Sequence, residues 1–202
     1  MEDLSRPTVG TDFILYVVDP RHHPGLIQAL TREYESDEAM SCHLPIYEDM
    51  LQIAAQDRQL YMLRARINGQ LTGVNENNAF LLQSTSNFHN TWNILPAFLM
   101  KSTDGKRTLL VWTAPRARQL RLAYSLVCLS EYAPPAEIWI GPEHDKDVYE
   151  TAFRFWSHIM EHWPESDNPE DRWKRMSLKL SLEDARMAME KRRQVLSSSR
   201  RE

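Results

Sequence analysis

The sequence predicts an α/β fold, a mixed sheet with helices on both faces, followed by a C-terminal helical extension. Three observations predict it. Short β-branched and aromatic runs are bounded by Pro, Gly and Asn; helical stripes separate them; and past residue 108 strands and helices alternate. The chain has 202 residues, 42% of them hydrophobic and 26% charged, which is long enough to bury a core and too apolar for general disorder.

The first strand is Phe13 to Val18, stopped by Asp19-Pro20. A helix follows with Leu26, Ile27, Leu30 and Tyr34 on one face, then a second over Pro45 to Gln56 with Ile46, Met50, Ile53 and Ala54 inward. Tyr61 to Ile67 alternates and reaches Asn68-Gly69, a type I′ turn pair, so Gln70 to Val74 is expected to return beside it. A second hairpin joins Ile94–Met100 to Arg107–Trp112 through Thr103-Asp104-Gly105, and residues 75–93 between the hairpins carry no clear pattern. A helix from Arg116 to about Tyr132 comes next, with Leu120, Ala123, Tyr124 and Val127 on one face. A strand at Glu137–Ile140 and a helix from Lys146 to Trp163 complete the series. This β-α-β-α order implies parallel pairing through a right-handed crossover.

The division expected is residues 1–163 as the α/β domain and residues 164–202 as an acidic linker with a basic helical tail. In that tail Ser181 and Asp184 read as a helix start. From Trp173 to Glu202 nine basic residues face four acidic ones, a local charge of +5 in a chain whose formal net charge is −4. Whole-molecule attraction to nucleic acid is excluded by that balance, so any such binding falls to a local patch such as the basic tail. Cys42 and Cys128 are far apart and outside any metal-ligand spacing, so two free thiols in a reducing, cytoplasmic setting are expected. The first residues lack a signal-type apolar run, and no stretch approaches the length that spans a bilayer, so no membrane contact is expected.

Over roughly Asp12 to Trp163, and most strongly from Leu109 onward, the element order resembles the acetyl-CoA-dependent N-acetyltransferase superfamily, and one turn does so as well. The family's turn reads Gln or Arg, two residues, Gly, one residue, Gly or Ala. Here Arg118-Gln119-Leu120-Arg121-Leu122-Ala123 matches its first and last positions and carries Arg121 in place of the glycine. The resemblance implies acetyl-CoA as cofactor, its pyrophosphate held at the helix N-terminus by Arg116, Arg118, Arg121 and the backbone at Ala123. It also implies Tyr149 as general acid to the departing thiolate. On this reading the protein is an acetyltransferase-like domain, acting on an unknown acceptor or catalytically degenerate.

Other residues were weighed as sites on chemistry alone. The arginines Arg116, Arg118 and Arg121, with Lys106 and Arg107, suit a phosphate or carboxylate at a sheet edge, or pair with neighbouring acids. Glu48, Asp49 and Glu76 are carboxylates of the type a transferase uses as base. His22, His23, Cys42, His43 and His89 form no ligand spacing, so no metal site is expected. Phe153 and Trp156 fall off the stripe made by Val148, Ala152, Phe155, Ile159 and Trp163, so that helix needs a cover. The tail or a second copy of the chain would supply it, which makes a homo-oligomer the alternative function: a noncatalytic interaction or assembly protein, viral in type, working through the Trp156 and Trp163 region and the basic tail.

Overall fold

A computed structural model describes residues 13–22, 25–42, 44–66, 92–140 and 146–199. Two compact units divide the chain, Met1–Ala133 and Pro134–Glu202. The predicted helix after residue 146 therefore belongs with the tail and not with the sheet.

The first unit is built on four strands, β1 (Phe13–Val17), β2 (Leu60–Arg66), β3 (Trp92–Lys101) and β4 (Thr108–Thr113), in the order β1-β2-β3-β4. Every neighbouring pair is antiparallel. The register sets Tyr16 opposite Met62, Met62 opposite Phe98 and Phe98 opposite Trp112, so one row of large side chains crosses the sheet. Such a row suits the pleat, where directly opposed side chains pack.

Helices cover both faces, as predicted. On the face of that row lie α1 (Leu26–Glu35) and α3 (Glu48–Gln56), whose Leu26, Leu30, Tyr34 and Leu51 share a buried cluster with Met62, Phe98 and Trp112. A short α2 (Glu38–Ser41) connects them. Alternation sends Leu63, Ala65, Leu95, Ala97 and Leu99 to the other face, and all are fully buried. There α4 (Leu122–Leu129) packs across all four strands and buries Leu122, Leu126 and Val127. A sheet buried on two sides explains why β3 reads as a nearly continuous apolar run from Ile94 to Met100.

Several expectations are corrected. Among the described residues the sheet is antiparallel throughout, not mixed, and Glu137–Ile140 forms no strand. After α4 the chain turns through Glu131 and Tyr132, both at positive φ (71° and 48°), into the buried Pro134-Pro135, and residues 137–140 run on irregularly. Without that strand the parallel crossover cannot form. Strand β2 has β1 on one edge and β3 on the other; the expected Asn68-Gly69 turn and the return strand Gln70–Val74 lie outside the described residues. The second hairpin forms as predicted, closed by the Ser102 N–H to Arg107 carbonyl bond of 2.8 Å, with Gly105 at φ +71°. The helix of Pro45 to Gln56 begins only at Glu48, and its inward residues are Leu51, Ala54 and Ala55, whereas Met50 and Ile53 are exposed.

The second unit pairs α5 (Lys146–Glu161) with α6 (Pro169–Ser199). The buried stripe of α5 runs through Trp156 and Ile159 to Trp163 just beyond its end, so Trp156 is a core residue of the stripe it was expected to miss. The side chains of Val148 and Tyr149 lie outside the description. Packed along α5, α6 is one helix of 31 residues that starts at Pro169, so the expected linker is confined to residues 164–168 and the helix begins well before Ser181. Asn168 starts it by accepting the Glu170 N–H at 3.0 Å, Pro169 takes the first turn where no N–H is needed, and Glu170 and Asp171 suit the positive end of the dipole. Ser181 does not cap. Its hydroxyl donates to the Ser177 carbonyl at 3.0 Å, a bond made inside a continuous helix.

Candidate functional site

The turn from β4 to α4 gathers the arginines. The predicted helix from Arg116 is broken here into a 3₁₀ segment, Pro115–Leu120, and α4, with Arg121 between them at φ 54°, ψ 33°. Pro115 opens the 3₁₀ segment with its φ preset, and the left-handed residue redirects the chain so that Leu122, Leu126 and Val127 face the sheet, not Leu120, Ala123 and Tyr124. The first intrahelical bond of α4 runs from the Ser125 N–H to the Arg121 carbonyl at 3.1 Å. The N–H groups of Leu122, Ala123 and Tyr124 thus precede the ladder, as the first donors of any helix do.

Arg116 and Arg118 are engaged with acids. Arg116 grips Glu33 with Nε to Oε1 at 2.6 Å and Nη2 to Oε2 at 3.2 Å, a two-point fork. Arg118 Nη2 lies 2.7 Å from Asp37 Oδ2, and the same oxygen accepts the Trp112 indole N–H at 2.9 Å. Asp37 is only 4% exposed, and two donors compensate its desolvation. Trp112 stacks edgewise on Tyr34 at 5.3 Å and lies 5.6 Å from Phe98. The Tyr34 hydroxyl donates to the Leu44 carbonyl at 2.6 Å; burial, and then the Asp37 charge, push its pKa well above the usual phenol value. The arginine pair therefore ties the turn to the end of α1, and of the two sequence readings of these residues, pairing with acids is the one the structure displays. Glu33 and Asp37 were not singled out in the sequence, since acids 83 and 81 residues away from their arginines carry no local sign of the pairing.

Arg121 is different. Its side chain is exposed and it stands at the head of α4, where the family motif has glycine. Ala123 lies in the first turn of α4, half-buried. Thr113 ends β4 on the face that α4 covers, and among the described residues its buried hydroxyl has no hydrogen-bond partner. Farther along α4, burial raises the Cys128 thiol; its Sγ lies 3.4 Å from the Tyr132 hydroxyl. Tyr124 is pushed up to about 12, first by burial and then by Cys128. Both cysteines are free thiols, as expected.

The remaining candidates are scattered. Glu48 and Asp49 sit exposed in the first turn of α3, and Glu76 lies outside the described residues. His22 and Cys42 are exposed, while His23, His43 and His89 fall outside the description. A cluster the sequence reading passed over is gathered instead at the end of α5. One ligand atom each from His158, Glu161 and His162 lies within 4.8 Å of the others. Its signal was present as His-x-x-Glu-His on a helical stretch, a spacing that places all three on one face. In the tail, Lys174 pairs with Glu170, Arg172 pairs with Asp167, and Arg192 donates to the Ile140 carbonyl at 3.1 Å. Among the described residues no helix is long and apolar enough to cross a membrane.

No protein-family model, curated protein or solved structure matches the chain.

Proposed function

We propose that the first unit is an acetyltransferase-like domain that binds an acyl-CoA-type ligand, with its pyrophosphate at the head of α4. One observation carries this reading: Arg121, at the glycine position of the motif, adopts the left-handed backbone that glycine ordinarily supplies. The turn thus keeps the glycine's conformation and adds a cation beside three leading N–H groups, a combination that suits a diphosphate. The unpartnered Thr113 hydroxyl, at the end of the preceding strand, is a further donor near that turn. Arg116 and Arg118 serve this site indirectly, by fixing the turn through Glu33 and Asp37. Tyr149, which the family resemblance assigns as thiolate acid, falls in the second unit, and the acceptor is open to the assay.

A second reading, assembly without catalysis, is favoured by one surface. Trp173, Leu180 and Met187 recur every seven residues on α6, each at least 43% exposed, with Met176 beside them. Trp156 and Trp163 are buried and do not supply this surface.

One experiment separates the readings: thermal unfolding with and without millimolar acetyl-CoA, alongside a light-scattering mass. A ligand at a hundred times its Kd adds about 2.7 kcal/mol, a rise of roughly 5–10 °C for a chain of this size. The expected result is such a rise in the wild type and none in Arg121→Glu, which reverses the charge at the turn without touching Glu33 or Asp37. No rise together with a multimeric mass overturns the acyl-CoA reading in favour of assembly.

A further inference from the structure

We propose that His158, Glu161 and His162 form a site for a divalent transition-metal ion of the zinc class, independent of the acyl-CoA reading. Positions i, i+3 and i+4 bring the three side chains together over the last turn of α5, on the side opposite its buried stripe of Trp156, Ile159 and Trp163. The two imidazole rings are already 4.2 Å apart, centroid to centroid. Donor atoms on a tetrahedral ion with bonds of about 2.0–2.2 Å are roughly 3.3 Å from one another, so the present spread of up to 4.8 Å closes by side-chain rotation alone.

Two further features point to a cation. His162 Nδ1 lies 2.8 Å from the His158 carbonyl oxygen, which can only accept, so Nδ1 carries the proton. In the neutral ring that leaves the Nε2 lone pair as the ligand and fixes the ring in the manner typical of metal-bound histidine. The cluster also lies where the helix dipole presents its negative end, beside the last carbonyls of a 16-residue helix. Two imidazoles and one carboxylate match an ion of borderline softness rather than calcium or magnesium, which prefer oxygen throughout. Three ligands from a single turn leave the fourth position of a tetrahedral ion to water.

The test is titration of the full chain with Zn²⁺ by calorimetry and with Co²⁺ by visible absorption, where tetrahedral coordination is intensely coloured. One ion per chain is expected. His158→Ala and His162→Ala should each weaken binding at least about tenfold, a loss no smaller than that from disturbing a ligand's support. Glu161→Gln, which keeps the shape and removes the charge, should weaken it as well. These positions are on the helix surface, so circular dichroism of each variant should match the wild type. Binding left unchanged in the His158→Ala/His162→Ala double variant, or no uptake at millimolar zinc, overturns the proposal.

Discussion

The arginine cluster at the β4–α4 turn and the histidine cluster at the end of α5 contain similar polar chemistry put to opposite use. In the first, Asp37 is buried, and its outer oxygen is shared by Arg118 and the Trp112 indole. In the second, His158 and Glu161 are exposed, and their side chains converge without a buried charge among them. A buried ionic group is held by partners that cannot leave without cost, whereas an exposed cluster reorganises around a ligand cheaply. Arginine-rich composition near a sheet edge is therefore a poor guide to ligand binding until the acids are placed.

The largest expected effect sharpens that contrast. Asp37→Ala strips Trp112 and Arg118 of a common acceptor inside the unit and should cost about 3 kcal/mol. Glu161→Ala, exposed in the last turn of α5, should stay within about 0.5 kcal/mol in metal-free buffer. Chemical denaturation of the two variants measures both, and equal costs would erase the distinction between a structural and a receptive cluster.

That contrast also marks how far the sequence could be read. Strands β1, β3 and β4, the helix α1 with its inward Leu26, Ile27, Leu30 and Tyr34, and the second hairpin follow from local periodicity and turn chemistry, and they appear as expected. Strand partners are a different matter. β2 pairs with β3, which starts 26 residues after β2 ends, and nothing in the Asn68-Gly69 turn signals that. The expected strand at Glu137–Ile140 had a plausible β-rich composition, but a strand needs a partner as well as propensity, and residues 137–140 pair with none. On α5 the reading tracked one stripe and missed its phase, because Phe153, Phe155 and Trp156 are all large and apolar; only packing shows that Trp156 faces inward. The arginines were legible as a group, but Glu33 and Asp37 were not, since that pairing depends on tertiary structure.

A smaller effect follows from the buried titratable groups of the first unit. Burial raises Tyr34, Tyr61, Tyr124 and Cys128, so the fold favours their protonated forms. In the unfolded chain a thiol titrates near pH 8.5 and a phenol near 10. Between those values and the raised ones the unfolded chain binds fewer protons than the native one, so stability falls as pH rises. The melting temperature of the first unit should hold through neutral pH, decline from about pH 8.5 and fall faster beyond pH 10. Cys128→Ala should delay the onset, and hydrogen exchange read segment by segment would locate it. An onset unmoved by that change would remove the thiol from the account.

The smallest effect bears most directly on the turn. Arg121 holds a left-handed backbone, which costs an ordinary side chain roughly 1–2 kcal/mol. Glycine removes that strain but gives back roughly 0.5–1 kcal/mol in the entropy of the unfolded chain. Arg121→Gly should therefore stabilise the first unit by about 0.5–1 kcal/mol, seen as a small rise in the denaturation midpoint. The same change restores the motif's glycine and removes its cation, so the two contributions part company in a binding assay. If acetyl-CoA is held by backbone N–H groups with Arg121 in the way, the variant binds more tightly as well as melting later. If the guanidinium is the main contact, the variant is more stable yet binds less, and the arginine has replaced the glycine's role in binding while borrowing its conformation. A variant that is less stable than the wild type would mean that the Arg121 side chain contributes more to the fold than its backbone strain costs.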